Sequence, residues 1–150
     1  MEESVSVFVS YQRTDTIFAA HALGYALRGA GCKAFVDTGS IPGGEDYRRA
    51  IREAVGKANL MLALIGPKFE FKRLHDVYGD VAFEWRRARF HGVALISVCV
   101  DEGRFPDAAE LPADLRWFSK RNGYSLRQNS FSRDVGALVN AVPVLATMPG

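Results

Sequence analysis

The stretch of sequence that decides the fold reads LMLALIGP and runs from Leu60 to Pro67. Its apolar run ends at a Gly-Pro pair, which is typical of a strand that is covered on both faces in a parallel sheet. The run from Val93 to Val100 is even more apolar and predicts another strand of the same kind. Together, the two runs predict the centre of a parallel sheet enclosed between layers of helix.

Strand-like and helix-like patterns alternate on both sides of this centre. Valines alternate with other residues over 4–10, and apolar residues recur with helical spacing over 47–58. We expect Thr14 to cap the first helix. Five strands that alternate with helices predict an α/β, flavodoxin-like fold, in which a parallel sheet of order 2-1-3-4-5 carries helices on both faces. The remaining elements are predicted as strands at 33–37 and 124–126 and as helices at 14–28, 80–90 and from 130 onward.

The length and the charge balance favour a single globular domain. We expect this domain to cover residues 1–142 and to be followed at 143–150 by a tail or linker, in which the pattern is lost. Of the 150 residues, 48% are hydrophobic, and 19 Lys and Arg against 17 Asp and Glu give a net charge of +2. A domain of this length folds without a metal or a disulfide. The nearly balanced charge argues against direct binding of nucleic acid.

The two cysteines, Cys32 and Cys99, lie far apart and belong to no CxxC pair or Cys/His cluster. They predict reduced thiols and no structural zinc. The acidic N-terminus, Met1 to Ser4, is unlike a secretory signal, and every apolar run is much shorter than the ~20 residues that span a bilayer. We therefore expect a cytoplasmic protein with no metal site and no membrane partner.

Ligands of open parallel sheets bind at the carboxyl ends of the strands, at the point where the strand order reverses. In the order 2-1-3-4-5 this point lies between strands 1 and 3. We therefore expect the site to be lined by residues 10–13, by residues 37–44, by the chain from Gly66 onward, and by the start of the helix that carries Glu84.

Three familiar motifs of this topology are missing from the strand ends. The segment 10–15 contains no glycine, which excludes both the GxGxxG dinucleotide motif and the P-loop. The third strand ends at Ile65-Gly66, so it does not supply the phospho-acceptor aspartate that a receiver domain requires.

Short motifs occupy these strand ends instead. They read VFVSYQRTD at 7–15, FVD and then IPGG between 35 and 44, LIGP at 64–67, and DVAFE at 80–84. In this order and spacing they resemble the Toll/interleukin-1 receptor (TIR) domain, and the resemblance extends to Leu111-Pro112, Phe131 and Asp134. Because DVAFE replaces the Trp-Cys pair usual in animal adaptors, the chain is more similar to bacterial TIR domains of the NAD-cleaving type.

The resemblance implies that Glu84 is the essential glutamate of an NAD+ glycohydrolase, with NAD+ as substrate and no cofactor. A single carboxylate suits this reaction, because nicotinamide leaves as a neutral molecule and needs no general acid, unlike the sugars of two-carboxylate glycosidases. Glu84 would bind the hydroxyls of the ribose and stabilise the positive charge that develops on the sugar. The alternative is a surface glutamate paired with Arg87.

The first strand and its loop supply three further candidates for binding the substrate. Ser10 is expected at the site. Tyr11 either stacks on a base or ribose, or closes the core above the strand. Arg13 either binds the pyrophosphate, as the resemblance implies, or pairs with Asp15.

The glycine-rich loop supplies three more candidates. Asp37 either contacts substrate or caps the turn that follows it. Gly43 and Gly44 offer backbone N–H groups to an anion, whereas the resemblance implies that their loop packs chiefly against a neighbouring subunit.

Asp80 is also expected at the substrate, although many active relatives carry an aromatic residue at this position. Tyr78 or Trp85 would have to replace that residue at the nicotinamide. Trp85, however, shares a helix face with Val81 and Ala88, which predicts that it is buried in the core.

The resemblance implies activation by self-assembly through the 37–44 loop, release of nicotinamide with ADP-ribose or its cyclic form, and a role in bacterial antiphage defence. A sensor domain would follow the chain or belong to another protein. Two alternatives remain. The chain is a non-catalytic module that recruits other TIR domains, or it is a nucleoside deoxyribosyltransferase in which a glutamate is the nucleophile.

Overall fold

The computed structural model describes residues 4–12, 14–36, 45–76, 80–120 and 123–147. These residues form one parallel sheet of five strands in the order β2-β1-β3-β4-β5, which confirms the predicted fold class and strand order. The strands are β1 (Ser6–Tyr11), β2 (Lys33–Val36), β3 (Leu60–Ile65), β4 (Ala94–Val100) and β5 (Tyr124–Leu126). The helices are α1 (Ile17–Gly29), α2 (Glu45–Lys57), α3 (Asp80–Phe90) and α4 (Phe131–Leu145).

Two hydrophobic cores lie on opposite faces of the sheet. Side chains alternate between the faces along each strand, so Val7 and Val9 pack under α1 and α4 whereas Phe8 packs under α2 and α3. All six residues of β3 are buried, as its continuous apolar run predicts. The sheet is therefore enclosed by helices on both sides.

The register between β1 and β3 is fixed at the amino end of the two strands. The backbone N–H of Ser6 donates to Oδ1 of Asn59 at 2.8 Å, and the backbone N–H of Asn59 donates to the carbonyl of Ser6 at 2.8 Å. From there the ladder brings Ser10 opposite Ala63.

The start of α1 differs from the prediction. The helix begins at Ile17 and follows Thr16, whereas Thr14 lies in an exposed turn with its hydroxyl 3.3 Å from Oδ1 of Asp15. The expected cap at Thr14 is therefore wrong, because the chain completes a turn before the helix starts. The Thr16 hydroxyl donates to the carbonyl of Gln12 at 2.8 Å, which ties the helix start to the end of β1.

Short 3-10 helices occupy the connections that the sequence left without regular structure: Phe71–His75 after β3, Ala108–Glu110 and Ala113–Lys120 after β4, and Gln128–Ser130 after β5. The connection after β4 passes close to the carboxyl end of β3. A Cβ atom at Gly103 would overlap the backbone carbonyl of Ile65, so only glycine fits at this position.

The last helix, α4, continues through Pro143, the residue at which a tail was expected to begin. Leu145 is buried against the core on the α1 side of the sheet, so these residues take part in the fold. None of the helices in the described part of the chain is long and apolar enough to cross a membrane.

Candidate active site

The Glu84 carboxylate lies in the protein interior, on the face of the sheet covered by α2 and α3. Only 4% of Glu84 is exposed, and its neighbour Trp85 is fully buried. Trp85 packs with Val81 and Ala88 in the core, which confirms the prediction for these residues. The burial is at odds with a solvent-exposed glutamate at this position, because ionised carboxylates are placed inside proteins only where polar partners receive them.

Glu84 is bound to β1 through a short chain of hydrogen bonds. The hydroxyl of Ser10 donates to Oε1 of Glu84 at 2.6 Å, across 74 positions of sequence. The indole Nε1–H of Trp85 donates to the same serine oxygen at 3.1 Å. Ser10 is 1% exposed. The penultimate residue of β1 thus holds two consecutive side chains of α3.

Aromatic rings surround this chain of hydrogen bonds. The ring of Trp85 lies 4.3 Å from that of Phe118 and 6.0 Å from that of Phe69, measured between centroids. Phe118 belongs to the connection after β4 and Phe69 to the connection after β3. Sequence reasoning missed both residues, because neither belongs to a strand or helix with a recognisable period.

A second buried serine lies in the same row of the sheet. Ser10 pairs with Ala63 on β3, and Ala63 pairs with Ser97 on β4. The Ser97 hydroxyl is buried and has no hydrogen-bond partner in the described part of the chain. A Cβ atom at Gly123 would overlap this hydroxyl, so the glycine leaves the space that Ser97 occupies.

The loops that follow β1 and β3 are tied together at the point where the strand order reverses. The side-chain amide of Gln12 donates to the carbonyl of Glu70 at 3.1 Å and accepts from the Glu70 backbone N–H at 2.8 Å. Oδ2 of Asp15 accepts from the backbone N–H of Lys68 at 2.7 Å. A Cβ atom at Gly66 would lie 2.5 to 2.7 Å from the Asp15 carboxyl group, so the absence of a side chain there admits the aspartate.

The other predicted site residues either lie away from the buried Glu84 carboxylate or fall outside the described residues. Tyr11 is 8% exposed and belongs to the core on the α1 and α4 side, opposite the face that carries Glu84. This position fits its expected role in closing the core. Asp80 is exposed in the first turn of α3, one turn before Glu84. Arg13, Asp37, Gly43 and Gly44 lie outside the described residues, as does Tyr78.

Two ion pairs involve the connection after β4, which also carries Phe118. Arg104 binds Glu110 through two contacts of 2.6 and 2.5 Å, and its guanidinium lies 4.8 Å from the ring centroid of Phe71. The Arg104 hydrogen bonds, with the backbone N–H of Asp107, lower the pKa of Glu110 to about 2. Arg86 on α3 binds Asp114 at 2.8 Å and lowers the pKa of that carboxyl group. The first pair lies within the connection after β4, and the second ties this connection to α3.

The described residues contain no group of three or more His, Cys, Asp or Glu side chains that could hold a metal ion. Both cysteines are free thiols. Burial raises the pKa of Cys99 to about 11 and also raises the pKa of Cys32, so neither thiol is activated as a nucleophile. The chemistry that this part of the molecule offers is that of the Glu84 carboxylate.

Solved structures with a similar fold include three that bear on function. The heterodimer of the RPS4 and RRS1 TIR domains gives a TM-score of 0.64 at 15% identity, over 97% of this chain and 100% of that one. The TIR domains of the activated Roq1 resistosome, which directly recognizes the pathogen effector XopQ, give 0.59 at 16% identity, over 94% and 98%. The CMP N-glycosidase BcmB of Clostridium botulinum gives 0.57 at 13% identity, over 89% and 96%.

At these identities the solved structures establish a likeness of fold. No curated protein sequence matches the chain. The family model of the TIR domain, in contrast, matches residues 7–138, from the second residue of β1 into α4. This match covers most of the chain and every strand of the sheet, so the chain belongs to the TIR domain family.

Proposed function

We propose that the chain is an NAD+ glycohydrolase that cleaves the bond between nicotinamide and ribose, with Glu84 as its catalytic residue. The observation that carries this proposal is the buried Glu84 carboxylate, held by Ser10 at the carboxyl end of β1 in a TIR fold. Cleavage of an N-glycosidic bond is also the activity named for one protein of similar fold, the CMP N-glycosidase.

The reaction breaks the bond between C1 of the ribose and the pyridinium nitrogen. The electron pair of that bond stays on the nitrogen, so nicotinamide leaves neutral and the sugar becomes an oxocarbenium-like cation. The negative charge of Glu84 stabilises this cation. Water then adds to C1 and loses a proton to give ADP-ribose, or the adenine ring adds instead to give a cyclic product.

We assign the remaining parts of NAD+ to the strand ends around Glu84. Arg13 binds the pyrophosphate, with Gly43 and Gly44 as further donors to the anion. Asp37 and Asp80 flank the nucleotide, Asp80 from one helical turn before the catalytic residue. Tyr11 closes the core beneath the site. NAD+ is the substrate, and the reaction requires neither a cofactor nor a metal.

The burial of Glu84 supports activation by assembly. A carboxylate that is only 4% exposed in the single chain is poorly accessible to a nucleotide, which supports a site that a neighbouring copy opens or completes. We propose that copies associate through the 37–44 loop in the cytoplasm, under the control of a sensor domain or sensor protein, as part of an antiphage response.

The test is to measure nicotinamide release from NAD+ by the chain, both free and immobilised at high density. We expect release from the clustered wild type and at least ~100-fold slower release from Glu84→Gln, because a preorganised charge is lost. Glu53→Gln, an exposed glutamate on α2, is the matched control and should match the wild type. Absence of release from the clustered wild type contradicts the enzyme proposal, and equal release from Glu84→Gln removes Glu84 from its role.

A specific surface favours assembly as a second function, with or without catalysis. The surface formed by α1 and α4 is poor in charge, with Arg28 the only Lys, Arg, Asp or Glu of α1 and with Arg133 and Asp134 on α4. In α2, by comparison, seven of thirteen residues are charged. Phe18 and Tyr25 of α1 are 88% and 73% exposed.

Between α1 and α4 lies a groove of about 420 Å³, lined by Ala22, Ala26, Phe131, Ser132, Val135, Gly136 and Val139. Ala22 lies one helical turn after Phe18, so the exposed ring stands beside the groove. A second copy related by a two-fold axis would place each ring against the partner's groove. A TIR heterodimer of similar fold supports a TIR domain as the occupant.

Light scattering across a concentration series tests this assembly. We expect self-association of the wild type to be weakened by Phe18→Asp and retained by Phe90→Asp, which changes an equally aromatic, 73% exposed residue on α3. Equal behaviour of the two variants would exclude the α1–α4 surface. Loss of nicotinamide release in Glu84→Gln without loss of association would separate catalysis from assembly.

A further inference from the structure

The hydrogen bonds around Ser10 have only one possible direction. An indole N–H is a donor and never an acceptor, so the Ser10 oxygen must accept from Trp85. A serine hydroxyl has a single proton, and that proton is directed to Oε1 of Glu84 at 2.6 Å. The hydroxyl proton is therefore committed to Glu84 and is not available to a substrate.

We propose that Ser10 and Trp85 are positioning residues that orient the Glu84 carboxylate, and that Ser10 does not bind the substrate. The catalytic part of this inference rests on the proposed function. It revises the sequence-based expectation that Ser10 contacts NAD+, because the serine is 1% exposed and both of its hydrogen bonds run to α3.

The helix geometry explains how one hydroxyl holds two neighbouring residues. Consecutive side chains on a helix diverge by about 100°, so Glu84 and Trp85 approach Ser10 from two sides. Rotation of α3 about its axis would break one of the two bonds. The Ser10 hydroxyl thus fixes the rotation of α3 relative to β1, and with it the direction of the carboxylate.

The rings of Phe118 and Phe69 give this arrangement a rigid backing. Trp85 is fully buried, and its ring lies 4.3 Å from that of Phe118 and 6.0 Å from that of Phe69, measured between centroids. Its indole N–H therefore has little freedom to leave Ser10. Because a bond between hydroxyl and carboxylate is charge-assisted, the weak link of the chain is the indole end. We expect loss of Ser10 to cost more activity than loss of the indole N–H.

The first measurement does not depend on activity. The chain has two tryptophans, and Trp117 donates its indole N–H to the carbonyl of Asp114 at 2.9 Å, away from Ser10. In ¹H–¹⁵N spectra of the full chain, Ser10→Ala should shift the Trp85 indole signal and speed its exchange with solvent, while the Trp117 signal stays in place. An unmoved Trp85 signal overturns the proposal.

The second measurement is steady-state kinetics of nicotinamide release by the clustered chain. Ser10→Ala should lower kcat by roughly 10- to 100-fold, the cost of a misplaced catalytic group, while KM changes less than about 2-fold. Trp85→Phe should lower kcat less, and Ser10→Cys, a weaker donor of similar size, should restore part of it. Trp117→Phe is the control and should behave as the wild type.

The outcomes separate this inference from the proposed function. In the Glu84→Gln background, Ser10→Ala should cost less than about 3-fold further, since it acts through the carboxylate. The positioning role is overturned if Ser10→Ala raises KM and leaves kcat unchanged. It is also overturned if Ser10→Ala lowers kcat by the same factor in the Glu84→Gln background as in the wild type. If the clustered wild type releases no nicotinamide, the enzyme proposal fails. The positioning role is then decided by the spectra, in which Glu84→Ala must also move the Trp85 signal.

Discussion

Asp15 and Lys68 are 53 positions apart in the sequence, and the carboxylate of the first accepts the backbone N–H of the second at 2.7 Å. This bond joins the loop after β1 to the loop after β3, beside the point where the order of the strands reverses. The Asp15 carboxylate satisfies the backbone N–H of Lys68, which would otherwise have to bind water. The edges of the candidate site are thereby held at a fixed separation.

Asp15→Ala should lower the free energy of unfolding by about 1–2 kcal/mol, the range for a hydrogen bond to a charged group that is partly exposed. Urea denaturation measures the loss. Asp15→Asn, which keeps an oxygen acceptor, is the matched control and should lose less. Gly66→Ala is expected to be more harmful where the carboxylate is present, because the three atoms nearest to its Cβ belong to Asp15. Additive losses in the free energy of unfolding of the double variant Asp15→Ala/Gly66→Ala would contradict this coupling.

Ser97→Ala should leave the protein as stable as the wild type or up to about 1 kcal/mol more stable. The Ser97 hydroxyl is buried without a partner in the described part of the chain, and a buried polar group in that state is unfavourable. Thermal or urea unfolding measures the difference. Ser10→Ala, in the same row of the sheet, loses two hydrogen bonds and should be destabilised. A destabilised Ser97→Ala would reveal a partner for the hydroxyl.

Gly103→Ala should destabilise the protein by about 2–3 kcal/mol, because the added methyl group overlaps the carbonyl of Ile65 and the backbone has to move. Gly136→Ala gives a control of opposite sign. Apart from its chain neighbours and the backbone of its own helix, no atom of the described residues lies within 4 Å of the position its Cβ would take. Alanine favours the helical backbone of α4, so a gain of up to about 1 kcal/mol is expected. Equal effects of the two variants would contradict the close approach at Gly103.

Arg104→Gln should raise the pKa of Glu110 from about 2 toward its ordinary value of 4.5, because it removes the hydrogen bonds that hold the pKa down. A lowered carboxyl pKa adds stability above pH 4.5, and that stability is lost as the pH falls toward 2. The variant should therefore lose stability at neutral pH and show a weaker acid dependence in this window. An NMR titration of the Glu110 carboxyl measures the pKa. Lys57→Gln, an exposed cation on α2, should leave it unchanged.

The regular elements were predicted well wherever the sequence pattern is continuous. The predicted bounds of β3, α3 and β5 are those of the structure. For β3 the reason is that its apolar run ends at the Gly-Pro pair. Most other boundaries moved by one or two residues. The start of α1 moved by three, from 14 to 17, because two threonines lie close together and the earlier one belongs to a turn. The 3-10 helices were missed, since they are too short to show a period.

The site was only partly predictable. The sequence indicated that Ser10 and Glu84 belong to the same end of the sheet, because the topology brings strand ends together. It did not indicate that they are bonded, since that depends on the rotation of α3 and on Trp85. The bond between Asp15 and Lys68 was also missed. Arg13 lies in the same loop as Asp15 and offered a local charged partner, whereas a backbone N–H leaves no mark in the sequence.

The pairing of Ser6 with Asn59 sets the phase of the whole β1–β3 ladder. Side chains alternate along a strand, so a slip by one residue would present Val9 or Tyr11 to Glu84 in place of the serine hydroxyl. Val9 offers no hydrogen-bond donor at that position, and the phenolic hydroxyl of Tyr11 lies at the far end of its ring, so neither residue replaces the short Ser10 hydroxyl. The identity of the donor that faces Glu84 therefore depends on an alignment made at the opposite end of the sheet. An asparagine that touches neither substrate nor Glu84 acts there as a determinant of strand alignment.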